Sequence, residues 1–331
     1  AAGIALLIWV QRDELGDWLE SLREPRTVLG VELVPASLLA EVLCLAVIAG
    51  LTTVMMPNVA LGDRPTNHDH TVHFFKAWQL EKEFLADGHL YGWSHRWFGG
   101  YPAQYLYPIG GDLLVVAVHV LTLGFADLGT AYAWAIWLFW FVSGYAVYRF
   151  GTLGFGRSVG LLAALLFITD TAANRIGGWY FAMKWGVWPM SLATVLGVWA
   201  MARAPRLMEG ERWRDVAIFG VLFAAALITH PFSLIHLGLA VVLALFAYWI
   251  ADRERHWLAG VSRLGAGIGV GGLLACIWLV PFMASQAEMD PGFGGTWTSL
   301  LAIGRNFYQL DFLPGTWGMA TAFGIVGMFA L

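Results

Sequence analysis

Three histidines and one aspartate fall within six residues, His68-Asp69-His70-Thr71-Val72-His73, directly after Asn67. A carboxylate beside imidazoles can act as a general base or hold a divalent metal ion. The same residues would also serve as a solvated helix start, with Asn67 or Asp69 as the cap. A helix continuing to about Asp87 puts Asp69, His73 and Lys76 on one face, at i, i+4 and i+7. Phe74, Trp78 and Leu85 then lie on another face, suited to a bilayer surface.

Two further clusters carry polar chemistry. Gly92-Trp93-Ser94-His95-Arg96-Trp97-Phe98-Gly99-Gly100-Tyr101-Pro102 interleaves glycines and aromatics with a histidine and an arginine. Such surfaces stack on sugar rings or anchor at lipid headgroups. The run Thr169-Asp170 to Tyr180, followed by Lys184 and Trp185, brings together an acid, Arg175, Trp179 and a lysine. Arg175 and Lys184 can hold a lipid phosphate, or simply snorkel at the end of a helix. His230 precedes Pro231 in a tight turn between two apolar runs and reads as a site-lining residue. Glu41 lies within an apolar run and reads as a paired or snorkelling acid. The segment 285–316 carries Glu288, Asp290, Trp297, Arg305 and Asp311, and is long enough to act as a lid.

The elements that must position these groups are membrane helices. Of 331 residues, 59% are apolar and 13% charged, with mean hydropathy +0.65. A soluble chain carries about 25% charged residues, so an ordinary soluble enzyme is excluded, and disorder with it. The net charge of −4 argues against a nucleic-acid partner. Cys44 and Cys276 sit in apolar runs and make no disulfide framework. Apolar runs near 33–56, 130–149, 158–170, 185–202, 215–229, 232–251 and 261–284 predict spans, with a further one opening at Trp317. The run 112–124 suits an interfacial or re-entrant helix better.

Basic residues set the expected orientation. Segments 11–32, 149–157, 203–214 and 252–263 hold 12 of the 19 Lys and Arg in 55 residues, whereas 57–129, 171–186 and 285–316 hold seven in 121. The first group is expected on the cytoplasmic side. The prediction is an all-α, polytopic helical bundle in the cell membrane, with a large first extracytoplasmic loop over 57–129 bearing interfacial helices. Residues 1–32 read as the end of a longer apolar segment plus a cytoplasmic stretch. Residues 33–331 read as one transmembrane module that continues beyond its last residue. Of the 18 Trp, Trp78, Trp93, Trp97 and Trp179 flank the polar clusters.

This order of features resembles the GT-C integral-membrane glycosyltransferases. Within that group it looks most like the prokaryotic membrane proteins labelled "6-pyruvoyl-tetrahydropterin synthase related". The resemblance rests most on Asp69-x-x-x-His73-x-x-Lys76-x-Trp78, Gly88-His89-Leu90 and Trp97-Phe98-Gly99-Gly100-Tyr101-Pro102. It covers roughly 33–331, most strongly 60–190.

The resemblance implies transfer of a sugar from a polyprenyl-phosphate donor to an acceptor at the extracytoplasmic membrane face, with inversion at the anomeric carbon. Asp69 and His73 would be catalytic. Lys76, His95, Arg96, Trp97, Tyr101, Arg175, Trp179, Lys184 and His230 would contact substrate. Asp69, His70 and Asp170 would be ligands of any divalent metal, Mg or Mn. Where many members carry two adjacent acids, His70 here follows Asp69. Two other readings stand beside this one. One is a silent subunit that scaffolds a membrane complex. The other is a transporter using His230, Glu41 and the re-entrant helix.

Overall fold

The computed structural model describes residues 26–28, 31–33, 36–97, 99–105, 107–171, 178–209, 212–251 and 257–285. The predicted span at Trp317 and the 286–316 part of the last loop lie outside them. A hairpin of β1 (Arg26–Val28) and β2 (Val31–Leu33) precedes the helix α1 (Ala36–Met55). Next come the short α2 (Pro57–Ala60) and α3 (His70–Gln79), which runs on through one π turn, Leu80–Phe84, and a 3-10 turn, Leu85–Asp87. A second hairpin, β3 (Gly92–Ser94) with β4 (Tyr101–Ala103), leads to α4 (Gly110–Leu121). The rest is helical: α5 (Leu128–Phe155), α6 (Arg157–Thr169), α7 (Trp188–Met201), α8 (Ala204–Glu209), α9 (Trp213–Thr229), α10 (Ser233–Ala251) and α11 (Trp257–Ser285).

Among the described residues, three helical stretches are long and apolar enough to cross a membrane: Leu38–Met55, Leu128–Thr152 and Leu258–Ser285. The apolar runs predict seven complete spans, and a helix occupies each of those positions, but α6, α7 and α9 have only 13, 14 and 17 residues. At 13 residues, α6 extends about 20 Å, against about 30 Å of hydrocarbon. It begins just after Gly156, whose φ of 86° breaks the helix, and ends in extended backbone at Asp170. α4, with 12 residues, is also too short to cross alone. The long helices turn apolar side chains outward: Leu39, Leu43 and Val54 on α1, and Leu273 and Val280 on α11, are all exposed. Patches of this size belong against lipid or other protein.

Among the described residues, two larger apolar cores hold the helices together, and a smaller one of Leu80, Phe84, Ala103 and Val116 lies under the second hairpin. The first joins α1, α4, α5, α6 and α7 through Ile48, Val115, Tyr132, Ile136, Phe139, Trp140, Ile168 and Trp188. The second joins α7, α9, α10 and α11 through Ala200, Phe219, Phe223, Leu237 and Leu264. α5 and α6 approach most closely where small residues meet. A Cβ at Gly160 would lie 2.5 Å from the Tyr148 carbonyl oxygen. Such glycine contacts let backbones touch where apolar burial alone gives no preference. Near this crossing Glu41 accepts a hydrogen bond from Tyr148 OH at 2.7 Å. Arg149 and Arg157 lie 3.5 and 3.7 Å from its carboxylate. Glu41 is therefore a paired acid tying α1 to the α5–α6 turn.

Gly160→Val would force α5 and α6 apart, at about 1–3 kcal/mol for overpacking. Thermal unfolding in detergent should show a lower midpoint than the parent. An unchanged midpoint would show that the crossing is not close-packed.

Candidate functional site

Near the start of α3 and the 178–187 segment, several groups singled out from sequence come together. The π turn Tyr180–Lys184 ends at Trp185, so its last carbonyls have no partner further along the helix. Residues 67–70 bond to them. Asn67 Nδ2 donates to the Lys184 carbonyl at 2.7 Å, and the Asp69 N–H donates to that of Trp185 at 3.2 Å. His70 Nε2 lies 2.7 Å from the Met183 carbonyl oxygen. A carbonyl only accepts, so Nε2 carries the proton. The neutral ring's Nδ1 then accepts from Tyr132 OH at 3.0 Å. Trp188 Nε1 donates in turn to Tyr132 OH at 3.1 Å. The approach requires Gly186, with φ +76°, because a Cβ there would fall 2.5 Å from the His70 nitrogen.

These bonds correct two expectations. Neither Asn67 nor Asp69 caps α3 with its side chain; Asp69 holds the N-cap position but makes no capping bond. Both ring nitrogens of His70 are committed to protein partners, so it cannot serve as a metal ligand here. Among the described residues no three His, Cys, Asp or Glu side chains group to hold a metal. The trio Asp69, His70 and Asp170 therefore does not fit a metal centre.

Inward from His70, His73 and Lys76 are both buried. The His73 ring sits 5.6 Å from Tyr107 and 5.9 Å from Trp188, and the His230 ring also lies 5.6 Å from Tyr107. Lys76 Nζ forms an ion pair with Asp112 Oδ2 at 3.0 Å, donates to the Pro108 carbonyl at 3.5 Å and lies 4.3 Å from the Tyr107 ring centre. Gln104 Nε2 holds the Lys76 carbonyl at 3.0 Å. Asp112 lies in the first turn of α4. Gly110, just before it, approaches so closely that a Cβ there would strike Thr229 at the end of α9.

Burial sets the protonation of this group. It lowers His70 to about 4, and it lowers His230 to about 4 with help from His236 and Lys76. His73 falls well below its ordinary value, through burial first and then the Lys76 charge. Burial raises the Asp112 acid while the Lys76 ammonium opposes it. Asp69 is different. Its side chain is exposed, and among the described residues it makes no hydrogen bond or ion pair.

The remaining predicted contacts divide. Lys184 is exposed, with its Nζ bonded to Tyr180 OH and 4.5 Å from that ring. The Asp170 carbonyl accepts from the Trp179 N–H at 2.8 Å, and Trp179 packs against the first core. Arg175 lies outside the described residues.

His95 and Arg96 lie towards the other end of the α3 rod, whereas Trp97 and Tyr101 lie along its middle, against Phe75 and Gln79. Arg96 Nε pairs with Glu83 at 2.7 Å, and Glu83 is 14 residues beyond Asp69, about 21 Å of helix. Trp97 stacks on Phe75 at 4.5 Å and on Tyr101 at 6.2 Å, so it is part of a packed aromatic layer. The fold sets His95 and Arg96 apart from Asp69 along the helix. Asp112 and Gln104 escaped sequence reasoning. A lone acid opening an apolar helix was the available signal for Asp112.

A family model described as "6-pyruvoyl-tetrahydropterin synthase related domain; membrane protein" matches residues 113–292, more than half of the chain. The match includes Tyr132, Met183, Lys184, Trp188 and His230. It starts one residue after Asp112 and leaves out the 69–102 stretch on which the sequence resemblance most rests. No curated protein matches the chain.

Two outcomes test this arrangement. An unfolded histidine takes up a proton near pH 6.5, whereas folded His70 and His230 do so only near 4. Stability is therefore full above about pH 6.5 and is lost as pH falls towards about 4. The thermal midpoint should drop between those values, and His70→Gln should flatten the dependence; an identical slope in that variant would contradict it. Asp112→Ala, which strands Lys76, should cost about 3–5 kcal/mol in chemical unfolding. Lys76→Met with Asp112→Leu should recover much of that loss; an additive loss would show that the two charges do not interact.

Proposed function

The chain belongs to the 6-pyruvoyl-tetrahydropterin synthase related membrane proteins, and on that premise we propose that it is a GT-C-type glycosyltransferase. It moves a sugar from a polyprenyl-phosphate donor to an acceptor at the extracytoplasmic face of the cell membrane. The observation that carries this reading is the state of Asp69. It is an exposed carboxylate without a partner among the described residues, held by backbone and neighbouring side-chain bonds against the 183–186 segment, beside histidines kept neutral by burial.

The chemistry divides among the residues as follows. Asp69 takes the proton of the acceptor hydroxyl as its oxygen bonds to the anomeric carbon. The bond from that carbon to the phosphate oxygen breaks, and its electron pair leaves with the polyprenyl phosphate. Lys184, 115 residues further on but adjacent through the Asn67 bond, supplies positive charge for that phosphate. His73 and Lys76 are both buried, and Lys76 is ion-paired; in this reading they position α3 and do not touch substrate. Lys76 anchors through Asp112, and His73 through its contacts to Tyr107 and Trp188. Asp69, His70 and Asp170 do not form a metal site in this reading, because both His70 ring nitrogens are bonded within the protein.

Glu41 argues for transfer over transport. A transport path would need it as an inner proton or ion carrier, and it is instead bound to Tyr148 and flanked by Arg149 and Arg157.

The purified chain, offered polyprenyl-phosphate sugars and an acceptor extract, should transfer label. Asp69→Asn should lower turnover by about 10²–10⁴-fold, the usual contribution of a general base. Equal turnover in parent and variant would remove Asp69 as the base.

A further inference from the structure

Towards the far end of the α3 rod an open depression of about 510 Å³ is lined by Glu83, Asp87, Tyr91, Trp93, His95 and Arg96. Glu83 and Phe84 reach it from the π turn that continues α3; such turns shift the helix face and recur at functional sites. Trp93 is the notable member, because it is 55% exposed and yet held in place. It sits on β3 opposite Pro102 of β4. Its indole lies so close over Gly100 that a Cβ there would come within 2.5 Å of Nε1. Gly100 also has φ +124°, a conformation that suits glycine.

The hairpin is fastened to the rod behind the indole. Gln79 Nε2 donates to the buried Ser94 Oγ, and Tyr101 OH donates to Gln79 Oε1 at 3.2 Å. The depression therefore offers a fixed aromatic face rimmed by groups of both hydrogen-bonding senses. Glu83 is oriented by Arg96 at 2.7 Å, Asp87 is exposed at the end of the 3-10 turn, and His95 lies 6.4 Å from the Trp93 ring.

An indole face beside carboxylates, an imidazole and a guanidinium matches a polyhydroxylated ring. The C–H face of a pyranose rests on the indole, while its hydroxyls donate to carboxylate and accept from guanidinium. Lipid is the poorer occupant. Two carboxylates at the rim are costly to bring into hydrocarbon and are repelled by anionic headgroups. We propose that this depression is a saccharide-binding subsite, centred on Trp93 and standing about 20 Å along the rod from Asp69. At that distance it cannot hold the ring undergoing transfer. It holds a free saccharide or a remote unit of a longer glycan.

The experiment reads binding without transfer, so it stands or falls apart from the glycosyltransferase reading. The whole chain in lipid nanodiscs is applied to an array of lipid-free neutral, amino and acidic oligosaccharides. The parent should bind at least one class. Trp93→Ala should weaken that binding about tenfold or more. So should Gly100→Ala, which keeps the ring but displaces it, and Asp87→Asn, an exposed change with no burden on folding, should weaken it several-fold. Binding to no array member, or equal binding by all three variants, would overturn the proposal. So would stronger quenching of parent than of Trp93→Phe fluorescence by brominated lipids, which would put the ring in the bilayer.

Discussion

The two bonds of His70 hold the candidate site together. A helix end buried in an apolar bundle cannot leave its carbonyls bare. The π turn at Tyr180–Lys184 meets that constraint by borrowing donors from residues 67–70, which precede it by more than a hundred residues. His70 is the central donor because its second nitrogen is engaged at once by Tyr132, itself bonded to Trp188. Only a neutral imidazole offers one donor and one acceptor in this way. Burial keeps the ring neutral, so the constraint and the protonation state support each other. Once residues 67–70 are docked, the direction of α3 is set, and with it the placement of every polar residue on that helix.

The Lys76–Asp112 pair fixes the other coordinate. It joins α3 to the start of α4, whose glycines in turn press against Thr229 and Trp188. A pair this well buried adds little net stability, since desolvating both charges offsets their attraction. Its value is in register. A rotation of α3 by one residue would leave a lysine or an aspartate unpaired in the interior. The result is a division of labour on one helix. His70 and Lys76 are satisfied inside, His73 is packed among aromatic rings, and Asp69 faces out with no side-chain partner among the described residues.

Membrane class and the positions of the helices were legible because apolar length is a strong and local signal, and the family match agrees that this is a membrane protein. Asp69, His73 and Lys76 could be grouped from helical spacing alone. What spacing could not show was burial. Lys76 reads as a substrate contact until Asp112 is found beside it, and no local pattern links two residues on different helices. His70 reads as a ligand until both its nitrogens are found occupied. The resemblance groups His95 and Arg96, as substrate contacts, with Asp69. A rigid rod of helix carries them about 20 Å away instead. The π turns, which aim Glu83 and shape the end at Lys184, leave no clear mark in composition.

The most direct measurement is an experimental structure of the chain in lipid nanodiscs with a non-cleavable polyprenyl-phosphonate sugar bound. The account predicts the phosphonate beside Lys184. It also predicts the Asp69 carboxylate on the opposite side of the anomeric carbon, within hydrogen-bonding reach, roughly 3 Å, of an incoming hydroxyl. A ligand seated elsewhere in the bundle, with Asp69 still facing solvent and the 183–186 segment untouched, would contradict it.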